Sequence, residues 1–416
     1  MVENPLRTGA GAVTIFQTIV LIWWASSMTV DFQQVQRQVK ELGQNAQASL
    51  ESRQHTREQA QQFLHACAEA YDLLHRKVEQ ATLYDPNLRC ALPVNEPIDG
   101  SYRQPELPAQ ATILAADGSQ IAPSRHEEVE YALINTGAIQ MKLGSPEPPP
   151  ISVESVLLYD EKLENLTDAL LALARDLSER RLLADLAVGL PPPVITFTDG
   201  QMELWLGQAG DREEHGLFQE SLLEYKSVLQ KLCASQAAAA GYVDRPHART
   251  VVRMLEVATL SEAEMPQVKS HKPFRTMRDL HLFRGLLRPG ERSALFEIQS
   301  PSAKFYRDEL ALFFFYLNVG RQGRESLARV EVPRWVVDSP PMLDHLHAVL
   351  VQQCRVMGAH PYPYLLHRAH ETAVVSLQEK EQVTQMIAHE LLGRGIDVEG
   401  KSHKQQLKDQ ATRGKA

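Results

Sequence analysis

The apolar positions of this chain change period several times, and each change marks a predicted element. Between Asp31 and about Leu83 the residues Phe32, Val35, Val39 and Leu42, then Phe63, Leu64, Cys67, Tyr71 and Leu74, recur at helical spacing. Two long helices are predicted, with Gly43 and Asn45 as the break between them and Pro86 ending the second. Arg89 to Pro108 carries Pro, Asn and Gly without periodicity and reads as a loop. The run Ala111 to Ile121 reads as a buried strand stopping abruptly at Asp117-Gly118, Tyr131 to Leu143 as another strand, and residues 145–150 as a Pro-rich turn.

Leu163 to Val188 is strongly helical, and a strand from Val194 to Thr198 again stops at Asp-Gly, Asp199-Gly200, with Glu203 to Leu206 as its hairpin partner. Helices are predicted at Leu217 to Ala240, Ala248 to Val257, Met342 to Val356 and Gln378 to Leu392. Strands are predicted at Ser293 to Ile298, Leu310 to Leu317 and Leu327 to Val332. This mixture predicts an α/β class: one mixed sheet flanked by helices, with an N-terminal helical extension. The domain reading is residues 28–88 as the helical region, 109–396 as the main domain and 400–416 as a polar, basic, disordered tail.

Residues 9–27 are apolar for about the length of a membrane helix or signal segment. Gln17 and two threonines interrupt them, and Met28 stands directly before the first amphipathic pattern. We read residues 1–27 as an over-long gene start, with a membrane anchor or a cleaved signal as the alternatives. Composition adds little: 44% apolar residues in 416 suits a packed globular chain, and a net charge of -9 still allows a local basic strip that meets nucleic acid. The four cysteines are scattered without a CxxC pair, which excludes a zinc knuckle or disulfide framework as the organising feature and fits a cytoplasmic location.

Two apolar runs each ending in Asp-Gly are the chemically suggestive feature. Hard divalent ions prefer carboxylate oxygens, and an acid at a strand end with a glycine after it can stand beside such an ion. Asp-Gly is also a common turn dipeptide. Between Lys269 and Arg292 the cations Lys272, Arg275 and Arg278 belong to a locally basic strip, to which Arg249 and Arg253 on a predicted helix could add; a solvated face is the alternative.

Six segments in order then resemble the NurA nucleases: DGSQ at Asp117–Gln120, RDLSE at Arg175–Glu179, FTDG at Phe197–Gly200, GYVDRP at Gly241–Pro246, RVEVPRW at Arg329–Trp335 and PYPYLLHRAHE at Pro361–Glu371. The resemblance implies a ribonuclease H-like core, a manganese-dependent (or magnesium-dependent) nuclease of DNA double-strand break end processing, a homodimer, and partnership with a HerA-type hexameric translocase. It implies Asp117, Glu179, Asp199 and His370 as metal ligands, with Tyr362 as a fifth catalytic residue. Asp176 and Asp185 are alternatives to Glu179, whereas Tyr362 and His370 match the family's tyrosine-to-histidine spacing and Tyr364 and His367 do not. The competing expectation is a non-catalytic DNA-end or translocase adaptor on the same fold.

Overall fold

The computed structural model describes residues 30–124, 129–159, 163, 166–204 and 212–396, so the readings of residues 1–27, of Trp205 and Leu206 and of the tail after Gly400 lie outside the described residues. The chain divides between Glu58 and Gln59 into two units. Helix α1 (Phe32–Ala66), whose residues as far as Glu58 belong to the first, starts beneath Asp31, whose carboxylate accepts the N–H groups of Gln33 and Gln34. Its apolar residues Phe32, Val35, Val39 and Leu42 are exposed. The helix passes through Gly43 without interruption, which corrects the expected break. One glycine in a helix interior costs only about 1 kcal/mol, too little to end a helix of good formers. The break falls instead at Cys67–Ala70, before α2 (Tyr71–Tyr84).

The second unit is built on one sheet of eleven strands among the described residues. One end of it is a meander of β3 (Thr112–Ile121), β4 (Ala132–Lys142) and β5 (Ile151–Leu158), each antiparallel to the next, with β5 at the edge. Helix α3 (Asp168–Ala187), capped by the Thr167 hydroxyl, returns the chain to β6 (Val194–Asp199), parallel to β3. Helix α4 (Arg212–Ala234) then leads to β7 (Ala237–Val243), parallel to β6. Three antiparallel strands, then two parallel ones reached through crossover helices, are the ribonuclease H-like order, so the expected fold class is met.

Beyond β7 the sheet continues antiparallel through β11 (Leu327–Pro333), β10 (Leu312–Asn318), β9 (Phe296–Gln299) and β1 (Cys90–Pro93), while β2 (Ser101–Tyr102) pairs with β8 (Arg292–Ser293) at its margin. The helices α5 (Thr250–Ala258), α6 (Asp279–Phe283), α7 (Arg334–Val337), α8 (Pro340–Val356), α9 (Tyr364–Ala373) and α10 (Leu377–Gly393) complete the unit. Every residue of β10 is buried, as expected for a central strand covered on both faces.

Several expectations change. The stretch 237–240, Ala-Ala-Ala-Ala, reads as helix from propensity but forms the buried start of β7, where small side chains let helices pack closely over a parallel strand. The expected loop at 89–108 holds β1 and β2, whose few residues are too short to show alternation. Strand β3 does not stop at Asp117 but runs through it, kept extended by β4. Glu203 and Leu204 form no strand; they are buried, and the Glu203 carboxylate accepts the hydroxyls of Ser300 and Ser302. All four cysteines are free thiols. Among the described residues no helix is long and apolar enough to cross a membrane.

Helix α9 sits directly on β4 because Gly137 has no side chain: a Cβ there would stand 2.9 Å from both the backbone nitrogen of Ala373 and Cγ2 of Thr372. Asn135 secures the same contact by donating to the Ala373 carbonyl (2.8 Å), and Ser119 donates to that oxygen as well. Gly137→Ala is expected to lose about 1–3 kcal/mol in urea unfolding, the usual cost of overpacking. Gly43→Ala, in open helical surface, is expected to gain up to about 1 kcal/mol.

Candidate metal centre

The last parallel rung between β3 and β6 joins Ala116 to Thr198, and one residue further each strand carries an acid, Asp117 and Asp199. Neighbouring strands lie about 4.8 Å apart and in-register side chains share a face, so sheet pairing alone delivers these two carboxylates side by side. Asp199 is in turn in register with Tyr242 of β7. The Tyr242 ring meets that of Tyr362 edge-on at 5.6 Å, and the Tyr362 hydroxyl donates to the Asp199 carboxylate. From α9, His370 brings Nδ1 to 2.6 Å from Oδ2 of Asp117, while Oδ1 of Asp117 accepts the N–H of Gly118 (2.9 Å).

Glu179 arrives from the other direction. Thr136 and Gly118, paired in register, face α3: the Thr136 hydroxyl meets that of Ser178 at 2.7 Å, and a Cβ on Gly118 would stand 2.9 Å from Oε1 of Glu179 and 2.6 Å from Cγ of Arg175. Gly118 therefore permits the Glu179 carboxyl to reach the β3 backbone one residue from Asp117. Arg175 Nε lies 3.6 Å from that carboxyl, an ion-pair distance too long for a hydrogen bond, and has no hydrogen-bond partner among the described residues. The next residue, Arg180, is buried and donates to the carbonyl of Gln201 (2.6 Å), which ties α3 to the turn after Asp199. Tyr225 holds the same turn through Met202 O (2.8 Å), and Glu331 through Met202 N (2.9 Å).

Electrostatics follow from this crowding. Burial pushes the Glu179 carboxyl up to about 8; Arg180 opposes the shift, and the charges of Asp176 and Asp117 add to it. Asp199 is raised by burial and then by Asp117, against the hydrogen bonds from Tyr362 and the Gly200 N–H. Burial and the Asp199 charge hold the Tyr362 phenol well above its ordinary range, so it stays a hydrogen-bond donor. Of the five residues expected from the sequence, Asp117 is in contact with His370 and Asp199 with Tyr362, while Glu179 approaches β3 from its other face at Gly118. Each acid has a protein neighbour (His370, Tyr362 or Arg175), and among the described residues no group of three or more His, Cys, Asp or Glu side chains is already disposed to hold a metal ion. The donor chemistry nonetheless fits one: hard oxygen ligands carry more negative charge than the surrounding cations offset, the condition a divalent ion relieves.

The basic strip divides. Lys272, Arg275 and Arg278 are exposed. Arg249 donates to Met277 O (2.6 Å), Phe274 O (2.9 Å) and Glu256 (2.9 Å), and buried Arg253 donates to Glu256 (3.0 Å), His271 O (2.8 Å) and Val268 O. These two arginines brace α5 against the segment after it, with donors spent on protein oxygens. The Asp185 carboxylate lies on an exposed pairing with Lys231, away from the acids. Sequence reasoning missed the fixing roles of Arg180, Asn135 and Tyr225; each is a polar side chain whose partner is a backbone carbonyl remote in sequence, and no local pattern signals that.

A ribonuclease H-like sheet with acids side by side on two neighbouring parallel strands defines the class of this protein. The NurA domain matches residues 111–375, and the chain belongs to the NurA family. No curated protein matches. Among solved structures, the NurA nuclease from Sulfolobus solfataricus is similar at 12% identity and a TM-score of 0.45, covering 78% of this chain and 94% of that one. The catalytic domain of human Endonuclease V is similar at 13% identity and a TM-score of 0.32, covering 77% and 98%.

The raised Glu179 carboxyl sets a pH dependence. Between about 4.5 and 8 the folded, metal-free protein binds a proton that the unfolded chain releases, so stability is fully present below the lower value and is lost as pH rises through the window. Urea unfolding in chelator is expected to show this loss from pH 5 to pH 8, amounting to a few kcal/mol on the order of the shift. Glu179→Gln should flatten the profile and be the more stable protein at pH 8.

Proposed function

We propose that this chain is a metal-dependent DNA nuclease that hydrolyses phosphodiester bonds during DNA end processing in the cytoplasm, as a homodimer working with a HerA-type hexameric translocase. The observation that supports it most is the delivery of Asp117 and Asp199 by neighbouring parallel strands, with Glu179 pressed against Gly118 beside them. Asp117, Glu179, Asp199 and His370 would hold the ion, with manganese as the first candidate and magnesium the second. A divalent cation bound there supplies Lewis-acid stabilisation of charge on the phosphate and makes water a better nucleophile at neutral pH.

The chain's own residues have separable tasks. Tyr362 fixes the Asp199 carboxylate by donation, and the 2.6 Å contact of His370 fixes the rotamer of Asp117. Orientation of this kind, by partners around a ligand set, commonly changes activity 10–100-fold when lost. Arg175, half-exposed beside Glu179, places a positive charge where an approaching phosphate would lose its hydration.

End-labelled DNA incubated with manganese or magnesium is expected to be cut by the wild type and not by Asp117→Asn or Asp199→Asn, whose folds stay intact by circular dichroism. Tyr362→Phe should retain cleavage at a rate lowered about 10–100-fold. Cutting at the wild-type rate by either aspartate variant would remove these acids from the chemistry. Binding of DNA ends without cleavage by the wild type, with either ion, would favour the adaptor reading.

A further inference from the structure

Behind Tyr362 lies a cleft of about 850 Å³ whose walls carry Arg245, Arg278, Arg284, Arg321 and Arg324 against two acids, Asp244 and Glu325. Glu325 is engaged in joining the two walls: Oε1 accepts the Gly285 N–H at 2.9 Å, and Oε2 lies 3.6 Å from Nε of Arg284. Asp244 stands 3.8 Å from Arg245. The cleft therefore keeps a clear excess of positive charge in a protein whose net charge is -9.

Two of its arginines are presented by a rigid turn. Between β10 and β11, Arg321 and Arg324 exchange backbone hydrogen bonds of 3.0 and 2.9 Å, and Gly323 supplies the left-handed backbone (φ +80°) that closes the hairpin. Both side chains are exposed. A third arginine is held at a cost. Arg245, three residues after Tyr242 in the GYVDRP segment, has φ +46° and precedes Pro246, a position where sterics favour extended backbone. A non-glycine residue held there costs about 1–3 kcal/mol. No buried contact of the side chain offsets that strain, because it is 83% exposed, at the cleft. Tyr362 is among the residues that line the cleft, and its hydroxyl reaches Asp199.

We propose that this cleft seats the phosphodiester backbone of a single nucleic-acid strand and feeds it to the acid cluster, with Arg245, Arg321 and Arg324 as its phosphate contacts. The assignment rests on the nuclease reading and deepens it by naming the strand's path. Arg245 after β7 and Arg321 and Arg324 of the β10–β11 hairpin line this one cleft of about 850 Å³, so a single backbone seated in it meets all three. Contacts to phosphate oxygens read no sequence, so binding through them is governed by salt.

Fluorescence anisotropy of a labelled single-stranded oligonucleotide, titrated with the full chain in chelator over a range of salt concentrations, tests this without cleavage. Each phosphate contact to a single strand contributes a slope of about -0.7 in log K against log salt. Arg321→Gln/Arg324→Gln should therefore be shallower than wild type by roughly 1.4, and Arg245→Gln by roughly 0.7. Arg321→Lys/Arg324→Lys should restore the wild-type slope, since charge rather than shape is at issue. An unchanged slope in the glutamine variants, or an equal loss in the lysine variant, overturns the assignment; an equal change on a blunt duplex overturns the single-strand part. Asp117→Asn should keep the wild-type slope. Absence of cleavage by the wild type with either manganese or magnesium would sink the nuclease reading while leaving the salt result to be judged by itself.

Discussion

The buried carboxyl of Glu179, held against β3 with the charge of Asp117 beside it, is the interaction on which the arrangement of this protein turns. A carboxylate taken out of water without a paired cation is unstable, and here the pairing is incomplete: Arg175 stands at 3.6 Å and Arg180 spends its hydrogen bonds on backbone carbonyls. The result is an acid pushed up to about 8. A surrounding fold must impose such a position, and this one does so by close approach at Gly118, by the Arg180 tie to Gln201, and by the Tyr225 and Glu331 bonds that fix the turn after β6. Strain of this kind is retained at sites where a ligand relieves it.

The sheet and the two helices divide the labour. Parallel pairing of β3 with β6 sets Asp117 and Asp199 at one level. Gly118 admits α3 on one face and Gly137 admits α9 on the other, so acid and imidazole approach the same stretch of β3 from both sides. The cleft that begins at Tyr362 is built from different elements, the turn after β7 and the β10–β11 hairpin, and its charge has the opposite sign. An acidic centre beside a basic groove is the electrostatic arrangement that lets a polyanion approach carboxylates it would otherwise avoid.

Much of this was legible in the sequence, and the exceptions have physical reasons. Strands that alternate with long helices, and the Asp-Gly pairs that end apolar runs, were readable because burial periodicity is local; so β4, β6, β10 and β11 fall where expected. The tetra-alanine start of β7 was not, because alanine favours helix locally and only the packing of a two-sided sheet overrides it. Helix α9, ten residues opened by Pro363 within a motif read for its chemistry, carries too few turns to declare itself by period. Arg249 and Arg253 looked like surface cations on a helix and are structural ties, a distinction that depends on the carbonyls of residues 268–277 folding back over α5.

If a shared divalent ion is what the acids are arranged for, then the ion must bind folded protein and raise its stability in proportion to ln(1 + [L]/Kd), about 2.7 kcal/mol at a hundredfold excess over Kd. The direct measurement is thermal unfolding of the chelated chain titrated with manganese, beside Glu179→Gln and Asp117→Asn. We predict a rise in Tm for the wild type that is largely lost in both variants. A rise of equal size in all three proteins would place the ion elsewhere and contradict the account.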